Sequence, residues 1–364
     1  MDNFNGYASG SFNYNPNDDY EFQRREAQRQ EARKAERRKL FKNASFLGVL
    51  LILYNVFNYV YLYLFYILTY VKYHGGFTLD ISEVTSYLVG EQAELVSSSA
   101  YSMTANLFLV LMSLVTILII AQCFMRIGIM DMLMPYKHCF KQGAKWMPAC
   151  LFINVVLSII VGIVVEMFEE SGVTVPESDF TITEQTTYAV VIQLIYVCIA
   201  GPIVEEVIYR GLVIKLLAPY GKGIAIFFSA LSFGLMHGNV SQAIPAFCGG
   251  LVYAMVAVKY NSIVPTIVIH FLNNLLASIT DIGDVFNFDG AYTIYNICTI
   301  AVMIAGLYVI MVNLDELKND IKKSEPVCAL PSGARTKALY TNIFVIIYLL
   351  MLVWSFVESF IYYN

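Results

Sequence analysis

The chain has 364 residues and a formal net charge of -5; 58 % of its residues are hydrophobic and only 14 % are charged. Soluble domains carry roughly 25 % charged residues, so a soluble fold of this length has too little polar surface to cover these apolar residues. The composition, with a mean hydropathy of +0.61, excludes a disordered chain, a coiled coil and a secreted disulfide scaffold. It predicts that lipid surrounds most of the chain. The seven cysteines include no CxxC pair, so a thiolate zinc site is not expected.

Residues 1–43 form a predicted N-terminal arm that is disordered, basic and outside the bilayer. Asn, Gly, Tyr and Ser dominate the first twenty residues, a composition typical of disorder. Residues 21–42 hold nine of the 23 Lys and Arg residues, which favours a solvated helix lying against anionic lipid headgroups. Nucleic-acid binding is the other use of a basic arm, and we do not expect it here. No signal peptide is predicted, because the first apolar run begins only near Ala44.

Residues 44–364 are predicted to form one helical membrane domain, so the fold class is an all-α polytopic membrane protein. A spanning helix needs about 20 mostly apolar residues. The chain contains nine such runs, and the middle four are shorter and interrupted by Gly, Pro and charge, so eight spans are the alternative. The nine runs are 44–71, 103–125, 146–168, 187–209, 223–240, 242–258, 262–280, 292–312 and 340–361.

The charges of the loops predict the orientation of these spans. If the N-terminus is inside, every inner loop carries Lys or Arg, and Lys72 is the only such residue in the outer loops. Because basic loops stay on the cytoplasmic side, we expect a multi-pass protein of the cell membrane with a cytoplasmic N-terminus. Lys259, between the sixth and seventh runs, supports nine spans. No internal repeat is visible, which weighs against an inverted-repeat transporter.

Ionisable residues inside spans are the functional candidates, because each costs about 2.5–3.5 kcal/mol on insertion scales. Polar residues concentrate in the middle runs: Glu205, Glu206 and Arg210 on the fourth, His237 on the fifth, and His270 and Asn274 on the seventh.

Helix geometry separates the two neighbouring glutamates. Glu206 and Arg210 are four residues apart and can pair on one helix face. Glu205 points about 100° away from Glu206, so it is free to face other helices. Gly201 and Pro202 precede them, and the proline predicts a kink because it removes one backbone hydrogen bond.

Depth along the helices predicts that these groups meet. Glu205 and His237 are each 16 residues from Gly221, at the centre of the turn between the fourth and fifth runs. An antiparallel pair of helices brings them to one depth, since the rise is about 1.5 Å per residue. His270 and Asn274 are four residues apart and share a face. We therefore predict one polar cavity, although each residue alone can also serve only as an interhelical contact.

The sequences EEVIYR (205–210), FGLMH (233–237) and HFLNN (270–274) match the ordered motifs EExxxR, FxxxH and HxxxN. This set resembles the CPBP family of intramembrane glutamic proteases. The family includes CAAX prenyl endopeptidases, lysostaphin-resistance-like proteins and bacterial relatives linked to bacteriocin processing and immunity. The resemblance covers about residues 187–281, which it implies are the catalytic core.

The resemblance also implies residue roles. Glu205 is implied as the general base that activates water, and His237 as the group that positions this water or shares its proton. His270 and Asn274 are implied as hydrogen-bond donors to the oxyanion. The remaining motif residues are implied to support the site; they are Glu206, Arg210 and Phe233.

The expected function is a membrane endopeptidase that cleaves membrane-associated peptides near the inner face. Both prenylated CAAX-type and bacteriocin or leader peptides are candidate substrates, and the oligomeric state is left open. No cofactor is expected; zinc held by Glu205, His237 and His270 is the alternative. The alternatives to a protease are a non-catalytic immunity or scaffold protein of the same fold and, third, a proton-coupled transporter.

Overall fold

The computed structural model describes residues 16–133, 139–176, 182 and 186–363. This described part is 86 % helical and contains no strand, which confirms the all-α fold class. Its helices are α1 (Pro16–His74), α2 (Ile81–Glu91), α3 (Ala93–Val96), α4 (Ser99–Met125), α5 (Ile129–Leu133), α6 (Cys139–Ala144), α7 (Met147–Glu170), α8 (Thr187–Tyr220), α9 (Lys222–Leu235), α10 (Val240–Tyr260), α11 (Val264–Ala277), α12 (Ile279–Val285), α13 (Gly290–Lys323), α14 (Ser332–Tyr340) and α15 (Ile343–Tyr363).

Among the described residues, seven helices are long and apolar enough to cross a bilayer: α1, α4, α7, α8, α10, α13 and α15. Helices α11 and α12 meet at a bend of 42° and make an eighth candidate if they are one span. Helix α9, in the fifth predicted run, has 14 residues. At about 1.5 Å per residue it is shorter than the ~30 Å hydrocarbon core. The described residues thus agree with the alternative of eight spans, and the fifth run is a short helix.

Helix α1 joins the N-terminal arm to the first span without a break, over 59 residues. The helix expected over 21–42 is present and begins already at Pro16, whereas disorder was expected for the first twenty residues; residues 1–15 lie outside the described residues. Glu36 anchors the arm, since its Oε2 accepts hydrogen bonds from the backbone N–H groups of Ala329 (2.6 Å) and Leu330 (3.2 Å). The arm is therefore held against the segment that precedes α14. Its contact with lipid headgroups stays a prediction.

Helix α8 lies between two groups of helices. Its buried face, which includes Val207 and Leu212, shares one apolar core with residues of α1, α4, α9 and α15. Helix α10 belongs mainly to a second core, together with α7 and α13. Helices α9 and α10 pack closely as an antiparallel pair, because a Cβ on Gly234 would lie only 2.8 Å from the Ala243 carbonyl oxygen. This arrangement encloses the middle of α8, which carries the EExxxR motif.

Candidate active site

The backbone of α8 is irregular around the motif. Two π-helical segments, Ile195–Ala200 and Glu206–Val213, flank the α-helical residues Gly201–Glu205. Pro202 lacks the N–H that a regular α-helix would use at this position, so the hydrogen-bond ladder has to change there. The sequence predicts a kink at this proline, and what the structure shows there is a switch of helix type. π-Helical turns are rare and are frequent at functional sites.

Glu206 and Arg210 form a fully buried ion pair. The Nη1 atom of Arg210 donates to Oε1 of Glu206 over 3.0 Å, and both side chains are 0 % exposed. The guanidinium also lies 3.9 Å from the centre of the Phe233 ring. A buried charge requires a partner and hydrogen bonds to offset the loss of water. The intrahelical pair predicted from the four-residue spacing is therefore present.

His270 connects this ion pair to Glu205. Its Nδ1 is 3.1 Å from Oε1 of Glu206, and its Nε2 is 3.6 Å from Oε2 of Glu205. Glu206 accepts from Arg210 through the same oxygen, so it acts as a carboxylate acceptor and Nδ1 of His270 carries the proton. Nε2 of His270 is consequently the atom directed at Glu205. The side chain of Glu205 is 20 % exposed, in contrast to that of Glu206.

His237 lies in the turn between α9 and α10, and not within a spanning helix as predicted. Its Nδ1 is 2.9 Å from the carbonyl oxygen of Phe233. A carbonyl can only accept, so Nδ1 donates and Nε2 of the neutral ring is left as an acceptor. The Phe233 ring meets both His237 and His270 edge to face, with centroids 5.2 Å and 5.6 Å apart. Phe233 thus packs between the two histidines.

Asn274 lies on α11, one turn beyond His270. Its Nδ2 donates to the carbonyl oxygen of Val197 over 2.7 Å. Its Oδ1 accepts from Nδ2 of Asn273 over 3.1 Å. The second N–H of the Asn274 amide is not used by these two bonds, since an amide NH₂ group has two donors.

A cavity of about 730 Å³ brings the four predicted catalytic side chains together: Glu205, His237, His270 and Asn274 all line it. Phe233 also lines the cavity. Glu206 and Arg210 do not line it and lie behind its wall, where they hold His270 and Phe233. The helices therefore produce the convergence that was predicted from depth alone.

The cavity extends from Glu205 toward one end of the bundle. Gln193 and Tyr295, which lie in the first two turns of α8 and α13, line it, and so does Asp281 on α12. By the predicted orientation this is the outer end. The cavity therefore does not support the expectation of cleavage near the inner face.

Among the polar residues that line this cavity and that sequence reasoning missed, Asn154, Tyr253 and Asn273 are joined by hydrogen bonds. Asn154 lies inside the third apolar run, but it stands there without an ionisable neighbour, whereas Asn274 lies four residues from His270. Asn273 was visible in HFLNN next to Asn274. A search for all amides inside apolar runs would have found both asparagines. Tyr253 carries no comparable signal, because tyrosine is common in this chain, with 26 copies.

Zinc was the alternative cofactor, with Glu205, His237 and His270 as ligands. Within the described ranges, no group of three His, Cys, Asp or Glu side chains is arranged to hold a metal ion. Nδ1 of each histidine is already hydrogen-bonded, so Nε2 is the remaining ring nitrogen of both.

The chain was compared with known protein families, curated proteins and solved structures. Residues 187–276 match the model of the Rce1-like family, described as type II CAAX prenyl endopeptidase Rce1-like. The matched segment begins with α8 and ends one residue before the end of α11, so it contains all three motifs. No curated protein and no solved structure matches the chain.

Proposed function

Residues 187–276 belong to the CPBP family of proteases, and from this premise we propose that the chain is an intramembrane endopeptidase in which Glu205 activates the attacking water. The protein is a multi-pass membrane protein, and its family acts on peptides. The observation that carries the proposal is the contrast between two adjacent carboxylates. Glu206 is hydrogen-bonded to Arg210 and His270, whereas Glu205 lines the cavity beside two histidines.

The attacking water sits between Glu205 and His237 in this proposal. Nε2 of His237 is an available acceptor, because Nδ1 donates to Phe233. Glu205 removes a proton from the water, and the water oxygen bonds to the peptide carbonyl carbon. The C–N bond then breaks, and the proton passes from Glu205 to the leaving nitrogen. One water is consumed, and the products are a carboxylic acid, which keeps the second proton of the water, and an amine. General base catalysis contributes typically about 10²–10⁴-fold.

The oxyanion is stabilised by Asn274 and His270. Asn274 offers its unused N–H, and His270 offers Nε2. Because Nδ1 of His270 already donates to Glu206, His270 donates through Nε2 only when the ring carries both protons. That form also balances charge, since it adds a cation to one arginine and two glutamates. Donors preset in a dry cavity are usually the largest catalytic contribution.

We propose a membrane-associated peptide as substrate, of the CAAX type or of the bacteriocin or leader type. It reaches Glu205 from the cavity end that carries Asp281 and Tyr295. The chain is proposed to lie in the cell membrane with its N-terminus inside, to need no metal and to bind no nucleic acid.

Replacing Glu205 with Gln tests the proposed base. The purified protein is assayed in detergent on a library of quenched fluorescent peptides, with and without prenyl groups. We expect Glu205→Gln to lower kcat by about 10²–10⁴-fold, since the amide cannot take a proton. Glu166→Gln is the matched control, because Glu166 is exposed on α7 and does not line the cavity. Unchanged cleavage by Glu205→Gln contradicts the proposal. Proton uptake into liposomes that this change abolishes would favour a transporter.

Dialysis against a strong chelator separates the metal-free reaction from its zinc alternative. The proposed chemistry uses Glu205, His237, His270 and Asn274 only, so peptide cleavage is expected to stay within about twofold. Loss of cleavage that added zinc restores would replace the metal-free mechanism.

A further inference from the structure

Asn154 on α7 lies outside the three motifs and outside the segment that matches the protease family. Its side chain nevertheless lines the cavity. Its Nδ2 donates to Oδ1 of Asn273 over 2.9 Å and to the hydroxyl oxygen of Tyr253 over 3.2 Å. Both partners adjoin proposed catalytic residues, since Asn273 precedes Asn274 and the Tyr253 ring lies 5.7 Å from that of His270.

The hydrogen bonds form a chain in which the donor and the acceptor of each bond are fixed by the first one. The Val197 carbonyl can only accept, so the NH₂ group of Asn274 faces it. Oδ1 of Asn274 is then left to accept from the NH₂ group of Asn273. Oδ1 of Asn273 must in turn accept, so Asn154 has to present its own NH₂ group. We call Asn154, Asn273 and Asn274 the amide chain.

The backbone around Asn154 is shaped for this side chain. A Cβ built on Gly249 would lie 2.0 Å from Oδ1 of Asn154. Real Cβ atoms do not approach a neighbour so closely, so the amide occupies its position only because residue 249 is glycine. Gly249 on α10 therefore leaves the space in which Asn154 can span from α7 to α11.

We propose that Asn154 is a positioning residue: through Asn273 it holds the amide of Asn274 with an N–H directed into the cavity. This inference rests on the proposed protease function. Without Asn154, Oδ1 of Asn273 loses its donor, so the Asn273 amide can rotate and exchange its oxygen and nitrogen. Asn274 then loses the hydrogen bond that holds its Oδ1 on one side and its NH₂ group on the other. Small errors in the placement of catalytic groups can cost about 10²-fold in rate.

The first experiment compares Asn154→Leu, Gly249→Ala and Asn313→Leu in the peptide-cleavage assay, beside the unaltered chain and Glu205→Gln. Leucine keeps the size of asparagine but removes the donor, and the methyl group that Gly249→Ala adds pushes the Asn154 amide from its position. Asn313 on α13 is the matched control, because within the described part of the chain its amide bonds only to the Val309 carbonyl of its own helix. We expect kcat to fall by about 10–100-fold in the first two variants, with KM within about twofold, since orientation and not binding is lost. A change in KM alone, or full activity of Asn154→Leu, overturns the proposal.

A second measurement does not depend on catalysis. It is a double-mutant cycle in which Tm is measured for Asn154→Leu, for Asn274→Leu and for the variant that combines them. A second cycle, with Asn313→Leu in place of Asn154→Leu, is the reference. Residues joined through shared partners give non-additive effects, whereas distant ones add. We expect the Tm loss of the double variant Asn154→Leu/Asn274→Leu to be smaller than the sum of the single losses, and the reference pair to be additive. Additivity in both cycles overturns the amide chain even if Glu205→Gln is inactive. Cleavage by Glu205→Gln together with a non-additive first cycle would instead refute the proposed base and leave the amide chain standing.

Discussion

Helices α8 and α13 have the same length, 34 residues, but opposite surroundings. In an apolar stretch of 18 residues, 44 % of α8 is buried, whereas only 6 % is buried in the corresponding stretch of α13. Helix α8 carries Glu205, Glu206 and Arg210 in its interior and has two π-helical segments. Helix α13 is a continuous α-helix whose large apolar side chains are exposed, for example Ile304 at 70 %.

The two helices also differ in where their charges lie. Near the end of α13, Glu316 and Asp320 pair with Lys259, and both acidic side chains stay partly exposed (55 % and 42 %). On α8 the Glu206–Arg210 pair is fully enclosed. Charges on a surface helix thus remain in contact with solvent, while charges within the bundle need neighbouring helices to replace water. This difference agrees with the proposed catalytic role of α8 and with contact between α13 and lipid.

Breaking one ion pair on each helix tests this comparison with the largest effect. Arg210→Met leaves the Glu206 carboxylate buried without its cation, which is expected to cost about 3–5 kcal/mol of unfolding free energy. Asp320→Asn removes an exposed partner of Lys259 and is expected to cost at most about 1 kcal/mol. Both are measured by denaturant unfolding in the same detergent. Equal losses would show that Glu206 and Arg210 are not enclosed as described.

When glycine is replaced by alanine, we expect the larger loss of stability on α13 and the smaller one on α8, which is the reverse of the ion-pair prediction. A Cβ at Gly306 on α13 would lie 2.3 Å from the Pro148 carbonyl oxygen of α7, which cannot move freely. We expect Gly306→Ala to destabilise by about 1–3 kcal/mol. A Cβ at Gly211 on α8 would meet the Met132 sulfur at 2.4 Å, and a flexible methionine can turn away.

The expected loss for Gly211→Ala is therefore the smaller one, despite the greater burial of α8. Thermal unfolding of both variants in detergent measures the order. A larger loss for Gly211→Ala would mean that Met132 is held as rigidly as the backbone.

The smallest effects are expected from one substitution made on both helices. Ile208 on α8 is 1 % exposed, and Ile304 on α13 is 70 % exposed. Ile208→Val is expected to cost about 0.5–1.5 kcal/mol, because it leaves a gap in a packed core. Ile304→Val is expected to stay within about 0.5 kcal/mol, since lipid fills the space of one methylene. A loss at Ile304 as large as that at Ile208 would indicate that another protein surface covers α13.

Much of the site was predictable because its determinants are local. The pairing of Glu206 with Arg210 follows from a four-residue spacing, which survives even though this segment is π-helical. The separation of Glu205 from Glu206 follows from the angle between adjacent residues. The common cavity followed from counting residues on either side of Gly221, because antiparallel helices joined by a short turn place equal counts at equal depth.

Other features were beyond the sequence. Helix α9 ends at Leu235, so His237 lies in a turn, although an apolar run continues past it. The direction of the cavity depends on which helix ends stay apart. Asn154 reaches Asn273 across 119 positions of sequence, and it does so only because α10 offers Gly249 at the crossing. No periodic pattern in the sequence indicates the end of α9, the direction of the cavity or the bond between Asn154 and Asn273.

By itself, the sequence determined that this chain is a polytopic helical membrane protein with one cluster of intramembrane polar residues in three ordered motifs. Hydrophobicity and short spacings decide these properties, and both can be counted along the chain. Only the tertiary structure decided toward which end of the bundle the cavity extends, which nitrogen of each histidine faces it, and which asparagines connect α7 to α11. Those choices depend on packing and hydrogen bonds between distant segments, and these exist only once the helices have assembled.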